Sequence, residues 1–173
     1  NSMRLPVLYY EGLTCSYPYA NDRLHTFILE GVPETAKRLR KAGIGYCFYL
    51  RQKYTDRNDV VYELAQHAAA VVTDDYPTFI AWQHNRRVPQ KLDVPYYAVD
   101  SSCVVPMRLL EKREYGAYTI RPKIHRLLPD YLIEADKLRL KQRFERPAPR
   151  FHVDVTSGDI GRLVAQCQID PVS

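Results

Sequence analysis

The sequence lacks the glycine-rich loops that bind phosphate groups. It contains neither GxGxxG nor GxxxxGK(S/T), and only 7 of its 173 residues are glycine. Such loops let the backbone approach a pyrophosphate closely and present N–H groups to it. Dinucleotide binding of the usual Rossmann kind is therefore disfavoured.

Metal-binding motifs, catalytic triads and long apolar runs are also missing. The 4 cysteines include no CxxC pair and there is no HExxH motif, so a metal site is disfavoured. No Ser-His-Asp or Cys-His set can be assembled. No apolar run approaches the roughly 20 residues of a membrane-spanning helix. Widely spaced thiols are typical of a reducing compartment, so we expect a cytoplasmic, intracellular protein with no membrane partner.

Positive charge is in moderate excess. Lysine and arginine number 25 against 20 acidic residues, which gives a net charge of +5. This excess of basic residues favours an anionic partner such as nucleic acid. The alternative is a solvated basic surface with no such role.

Short apolar runs alternate with segments of helical periodicity in the first part of the chain. We predict strands over 5–10, 44–50, 69–73 and 93–99, and helices over 23–41, 60–68 and 78–90. Pro33 is expected to kink the first helix or make it restart. The alternation predicts an α/β fold with a Rossmann-like open sheet, mainly parallel, and helices on both faces.

Residues after 100 follow a different pattern. We predict an extended stretch over 101–106, a helix over 109–118, an extended linker over 144–149, and a short helix over 159–167 that is capped by Ser157 or Asp159.

Residues 118–132 combine basic and apolar side chains and contain two prolines. Arg121, Lys123 and Arg126 alternate with isoleucine and leucine, which predicts one packed face and one basic face available to phosphates. In the alternative interpretation these cations pair with surface carboxylates such as Asp130.

The third predicted strand reads as buried and ends in two adjacent carboxylates, Asp74 and Asp75. Ligands of open α/β sheets bind outside the carboxyl ends of the strands, so a binding role is predicted here. Alternatively, one aspartate caps the following helix. His25, among apolar residues of the first helix, is typical of a hydrogen-bonded core histidine rather than a ligand.

Several segments resemble class II DNA photolyases, in the same order along the chain. The most recognisable is 117–129, with its TIRPKI core. Residues 15–32 (CSYPYANDRLHTFILEGV) resemble the loop and helix after that family's second strand. Residues 71–77 resemble its strand ending in Thr-Asp-Asp, 97–106 its Val-Asp stretch leading to Val-Val-Pro, and 166–171 the hinge into its next domain.

The resemblance implies a photolyase-like N-terminal α/β domain over 4–135 and an interdomain linker over 136–173. In that family FAD, the lesion cavity and the light-driven lyase chemistry belong to a helical C-terminal domain. That domain and DNA are the partners that the resemblance implies. It also implies that this chain lacks the FAD site and does not repair DNA by itself.

The resemblance further implies an antenna chromophore, of deazaflavin type in many members of the family. Its lining is expected at Cys15, Tyr17, Arg51, Asp75 and Tyr76, with Asp75 accepting a hydrogen bond. The candidate DNA contacts remain Arg121, Lys123 and Arg126, and no catalytic or metal-binding residue is assigned.

The resemblance also points to a missing strand. The family begins with a further strand in the middle of its sheet, whereas the first strand predicted here resembles the family's second. Strands 5–10 and 69–73 are then expected to have unpaired edges, which either join each other or pair with a second copy of the chain. Two other functions remain open: a stand-alone nucleotide-binding regulatory module, or a DNA-interaction module of a cryptochrome-like protein.

Overall fold

A computed structural model describes residues 3–134, 140–155, 158 and 160–170 of the chain. The described residues of 3–61 and 140–170 form one compact unit, and residues 62–134 form a second. The domain boundary expected after residue 135 lies outside the described residues, as do the caps expected at Ser157 and Asp159. The domain limits therefore stay a prediction.

The helices and strands follow the predicted α/β alternation. In chain order they are β1 (Leu8–Thr14), α1 (Asp22–Ala42), β2 (Gly45–Arg51), α2 (Val60–Ala65), β3 (Val71–Asp74), α3 (Phe79–Arg87), β4 (Tyr96–Val99), α4 (Ala117–Tyr131) and α5 (Ile160–Ala165). Short 3₁₀ turns lie at Pro89–Lys91 and Met107–Leu109. No described helix combines the length and the apolar character needed to cross a membrane.

In the first unit, β1 and β2 form a parallel sheet in which Leu8 lies opposite Gly45. β1 begins and ends later than the predicted strand over 5–10. Pro6 has no N–H to donate, and the ladder starts where the Gly45 N–H donates to the carbonyl of Val7 at 2.9 Å. Gly12 lies inside β1 and is exposed to solvent.

Helix α1 covers this sheet. The Asn21 side chain caps it by accepting from the Leu24 N–H at 2.9 Å. The helix continues through Pro33 as one element and does not restart there. The buried residues Leu29 and Val32 lie just before the proline, and their packing offsets the hydrogen bond that Pro33 cannot make.

The core of the first unit includes residues from both ends of the chain. Its buried members are Leu13, Leu29, Val32, Ala36, Tyr46, Phe48, Leu50, Val155 and Val164. The free edge of β2 is occupied by the later segment. The Phe48 N–H donates to His152 Nδ1 at 3.0 Å, and the Val153 N–H donates to the carbonyl of Phe48 at 2.8 Å. Helix α5 contacts α1.

In the second unit, β3 and β4 form a separate parallel sheet, with Val71 opposite Tyr96 and Asp74 opposite Val99. The expected single sheet is therefore found as two sheets of two strands each. β1 and β3 belong to different units, so the hypothesis that their unpaired edges join each other stays a prediction. Pairing of an edge with a second copy of the chain stays a prediction.

The strand at 69–73 was expected to be buried, and this expectation is wrong. Val72 is 66% exposed, and its ladder partner Tyr97 is 51% exposed. Register partners point to the same face of a sheet, so these two side chains mark one uncovered apolar face. Parallel strands are normally covered on both faces, which is why the apolar run suggested burial.

The segment after residue 106 differs from its prediction as well. A 3₁₀ turn and irregular backbone replace the expected helix over 109–118, and α4 occupies the segment expected to alternate. Ile120, Ile124 and Leu127 follow the i, i+4, i+7 spacing of a helix, and all three are half-buried. Pro122 and Pro129 lie on the exposed side, seven residues apart.

Gly31, inside α1, and Gly43, which follows its last residue, make a matched test of backbone strain. Gly43 ends the helix at φ +81°, whereas an added Cβ at Gly31 meets nothing within 4 Å. We expect Gly43→Ala to lower the free energy of unfolding by about 1 kcal/mol or more. We expect Gly31→Ala to raise it by about 0.5–1 kcal/mol, because alanine favours the helix interior. Urea unfolding measures both, and shifts of the same sign would contradict the assigned helix end.

Candidate functional site

Arg51, at the carboxyl end of β2, is held by three hydrogen bonds. Its Nε donates to the carbonyl of Asp56 at 3.1 Å, Nη1 to Ser16 Oγ at 2.9 Å and Nη2 to the carbonyl of Tyr54 at 2.6 Å. Only 9% of the residue is exposed. The guanidinium therefore fixes the loop after β2 and ties it to the loop after β1.

Cys15 and Tyr17 lie in the loop after β1. The Cys15 N–H donates to the carbonyl of Arg51 at 3.0 Å, and the residue is buried. The Tyr17 ring stacks on His25, with centroids 5.7 Å apart and planes 8° from parallel. Burial raises the pKa of Tyr17. These contacts join Cys15 to Arg51 at the carboxyl end of the first unit's sheet and hold Tyr17 against α1.

His25 is fully buried on α1, so its interpretation as a core histidine is confirmed. Its Nδ1 lies 3.1 Å from the carbonyl of Asn21. A carbonyl only accepts, so Nδ1 carries the proton and Nε2 is left as an acceptor. His25 Nε2 and the Tyr17 hydroxyl are both buried without a hydrogen-bond partner among the described residues. Burial lowers the pKa of His25.

Asp74, at the end of β3, is held by the loop after β4. It accepts from the Ser101 and Ser102 hydroxyls at 2.8 Å each, and these hydrogen bonds lower its pKa. Neither aspartate caps α3, because Thr78 is the N-cap residue. Sequence reasoning missed both serines. Ser101 and Ser102 lie just after β4, the parallel partner of β3. Because the carboxyl ends of parallel strands meet at one edge of a sheet, the sequence could have predicted that these serines lie near Asp74.

Asp75 and Tyr76 belong to the second unit. The Asp75 N–H donates to the carbonyl of Val99 at 2.8 Å and extends the ladder by one bond. Its carboxylate is exposed and makes no side-chain hydrogen bond within the described part of the chain. Tyr76 is 47% exposed. Of the five expected lining residues, these two have side chains that are available to a ligand.

The basic residues of 118–132 remain accessible on α4. Arg121, Lys123 and Arg126 are all exposed. Lys123 forms an ion pair with Glu114, and this hydrogen bond lowers the pKa of Glu114. The carboxylate partner of Lys123 is therefore Glu114, not Asp130. Neither arginine forms an ion pair with a described residue.

Nucleophilic and metal-binding arrangements are not evident in the described ranges. Residues 3–134, 140–155, 158 and 160–170 bring together no group of three or more His, Cys, Asp or Glu side chains suited to a metal ion. Burial raises the pKa of Cys47 and of Cys167 to about 11, so both thiols are protonated at neutral pH.

Comparison with known sequences identifies one family. The sequence profile described as DNA photolyase matches residues 9–148. The match therefore includes β2, both strands of the second unit and α4, and it extends into the later segment that docks on the first unit.

Curated relatives agree with this profile. The deoxyribodipyrimidine photo-lyase of Methanothermobacter thermautotrophicus is 31% identical over 157 residues, which are 87% of this chain and 34% of that protein. The one from Potorous tridactylus is 35% identical over 120 residues, or 66% of this chain and 22% of its own length. The one from Arabidopsis thaliana is 58% identical over 43 residues, which are 24% of this chain and 9% of that protein. The chain thus spans about a third or less of these relatives.

The burial of neutral His25 predicts that the folded protein loses stability in acid. The folded-state pKa lies below the ordinary value of 6.5, so the unfolded chain takes up a proton first as the pH falls. We expect the free energy of unfolding to decrease below that pH, by at most about 1.4 kcal/mol per pH unit from this group. Denaturant unfolding across this range measures the slope.

His25→Phe should flatten this pH dependence, because phenylalanine keeps the ring and removes the titration. His67→Gln, which replaces an exposed histidine, is the matched control and should keep the original slope. An unchanged slope in His25→Phe would show that another group is responsible.

Proposed function

Because this chain belongs to the DNA photolyase family, we propose that it forms the N-terminal α/β domain of a deoxyribodipyrimidine photolyase-like flavoprotein of DNA repair. Its role there is to hold an antenna chromophore and to act as a scaffold, without catalysing repair by itself. The observation that carries the proposal is coverage: 87% of this chain aligns with only 34% of the archaeal relative. A domain of a longer enzyme accounts for both values.

The proposed chromophore is a deazaflavin. Asp75 is the proposed hydrogen-bond acceptor, since its carboxylate is exposed and follows a strand end, where α/β sheets bind ligands. Tyr76 offers a half-exposed ring beside it. Cys15, Tyr17 and Arg51 belong to the first unit, where the Arg51 donors are already engaged, and their part in the lining stays a prediction.

The remaining partners are proposals for the longer protein. FAD and the lyase chemistry would belong to a helical domain, and DNA would be the substrate. A second copy of the chain is proposed at the edge of β1 that faces away from β2. Tyr9 is 47% exposed, and within the described residues no strand pairs with that edge.

A second candidate function, contact with DNA, is supported by α4. Arg121 and Arg126 are exposed on the helix, whereas Ile124 and Leu127 are half-buried. Guanidinium groups on the solvent side of a packed helix are suited to backbone phosphates. The proposed contacts are Arg121 and Arg126, with Lys123 contributing once released from Glu114.

Titration with a deazaflavin tests the chromophore proposal. We expect saturable binding with a shift of the chromophore's visible absorption. Asp75→Asn should weaken binding about tenfold, the expected loss for one charge-assisted hydrogen bond. Asp93→Asn, which neutralises another exposed carboxylate of the same unit, should bind as the parent chain does. Absence of binding, or equal affinity for all three proteins, would contradict the proposal.

The salt dependence of duplex binding tests the role of α4. Arg121→Gln/Arg126→Gln should reduce the slope of log K against log salt by about 2, one for each lost phosphate contact. Arg108→Gln/Arg113→Gln removes the same charge from exposed positions outside α4 and should leave the slope unchanged. Equal slopes for the two double variants would assign the binding to net charge alone.

A further inference from the structure

A polar cleft opens at the amino end of β2, where α1 ends. Its volume is about 300 Å³. The residues that line it come from two distant parts of the sequence: Arg40, Gly43, Ile44, Gly45, Tyr46, Arg143, Phe144, Arg146 and Ala148. Three of these residues carry a guanidinium group, and none carries a carboxylate.

The cleft is built by specific docking of the later segment. The Phe144 N–H donates to the carbonyl of Gly43 at 3.0 Å, and Arg143 Nη2 donates to the carbonyl of Arg40 at 3.3 Å. The Phe144 ring lies so close to Gly45 that a Cβ there would overlap it. A larger residue than glycine at position 45 would displace the Phe144 ring. Because Arg143 directly precedes Phe144, this packing also holds Arg143 near Arg40.

No described carboxylate balances the positive charge of the cleft. Arg40, Arg143 and Arg146 form no ion pair with a described residue. Three like charges in one concave surface repel each other, and an anion between them would relieve that repulsion. The C-terminal end of α1 carries a partial negative charge. Its last carbonyls already accept hydrogen bonds, that of Leu39 from the Ile44 N–H and that of Arg40 from the Gly43 N–H.

We propose that this cleft binds a phosphate group, with Arg40, Arg143 and Arg146 as its positive ligands. The planar fork of a guanidinium matches two oxygens of an oxyanion, which a halide lacks. Three guanidinium groups suit a phosphate better than a single carboxylate, because a phosphate group has more acceptor oxygens and up to two negative charges. The phosphate belongs either to a free nucleotide or to a polynucleotide backbone. This site shares no residue with the proposed chromophore lining or with α4, so it does not depend on either proposal.

Isothermal titration of the full chain with inorganic phosphate, AMP and a short DNA duplex tests the site. The variants are Arg146→Gln, Arg143→Gln/Arg146→Gln and the control Arg23→Gln. Arg146 makes no side-chain hydrogen bond to a described residue, so Arg146→Gln tests charge without loosening the segment. Arg23 is exposed in the first turn of α1, about 25 Å from Arg40 at the rise of an α-helix.

We expect phosphate and AMP to bind with one-to-one stoichiometry. Arg146→Gln should weaken binding about tenfold and the double variant more, with Arg23→Gln unchanged. If the duplex displaces AMP, the site also binds a polynucleotide backbone. If AMP binds and the duplex does not displace it, the ligand is a free nucleotide. The proposal is overturned if no probe binds, or if Arg23→Gln weakens binding as much as Arg146→Gln does.

Discussion

The middle of β2 is hydrogen-bonded on both sides, and the first unit depends on this arrangement. β1 pairs along one edge, and on the other Phe48 donates to His152 and accepts from Val153. Phe48 is fully buried, so leaving either backbone group unpaired would cost about 1–3 kcal/mol. Once these bonds hold the later segment along β2, Val155 and Val164 enter the core and Phe144 seats against Gly45.

The two ends of β2 present different chemistry. At the carboxyl end the Arg51 guanidinium is saturated by carbonyls and a hydroxyl, so its charge organises loops rather than a ligand. At the amino end Arg40 and Arg143 line a cleft whose described lining residues include no carboxylate. A strand of seven residues separates these ends by roughly 20 Å, so ligands at the two ends would not touch. Membership of the DNA photolyase family accounts for the α/β scaffold, and the proposed phosphate site rests on the arginines at the amino end of β2.

The residue types and spacing within short segments predicted most helices and strands. They could not predict which segments distant in the sequence would pair. The helix predicted over 23–41 and the strand predicted over 44–50 followed from residue type and spacing. The helix at α4 was missed because a short stretch with isoleucine at 120 and 124 fits periods of both 2 and 3.6, and prolines weighed against a helix. The split into two sheets depends on which strands meet, which no local pattern encodes. The Arg143 cleft depends on contact across about a hundred residues, as its bond to Arg40 shows.

The first unit is discontinuous in sequence, and this has a consequence for how it folds during synthesis. Phe48 and His152, which are hydrogen-bonded, are 104 residues apart. During synthesis β1, α1 and β2 leave the ribosome first, followed by residues 62–134. The later segment, which contributes Val155 and Val164 to the core, is made last. Until then one edge of β2 and the α1 surface that meets α5 are open to other chains. The nascent protein thus exposes that strand edge until the later segment has been synthesised.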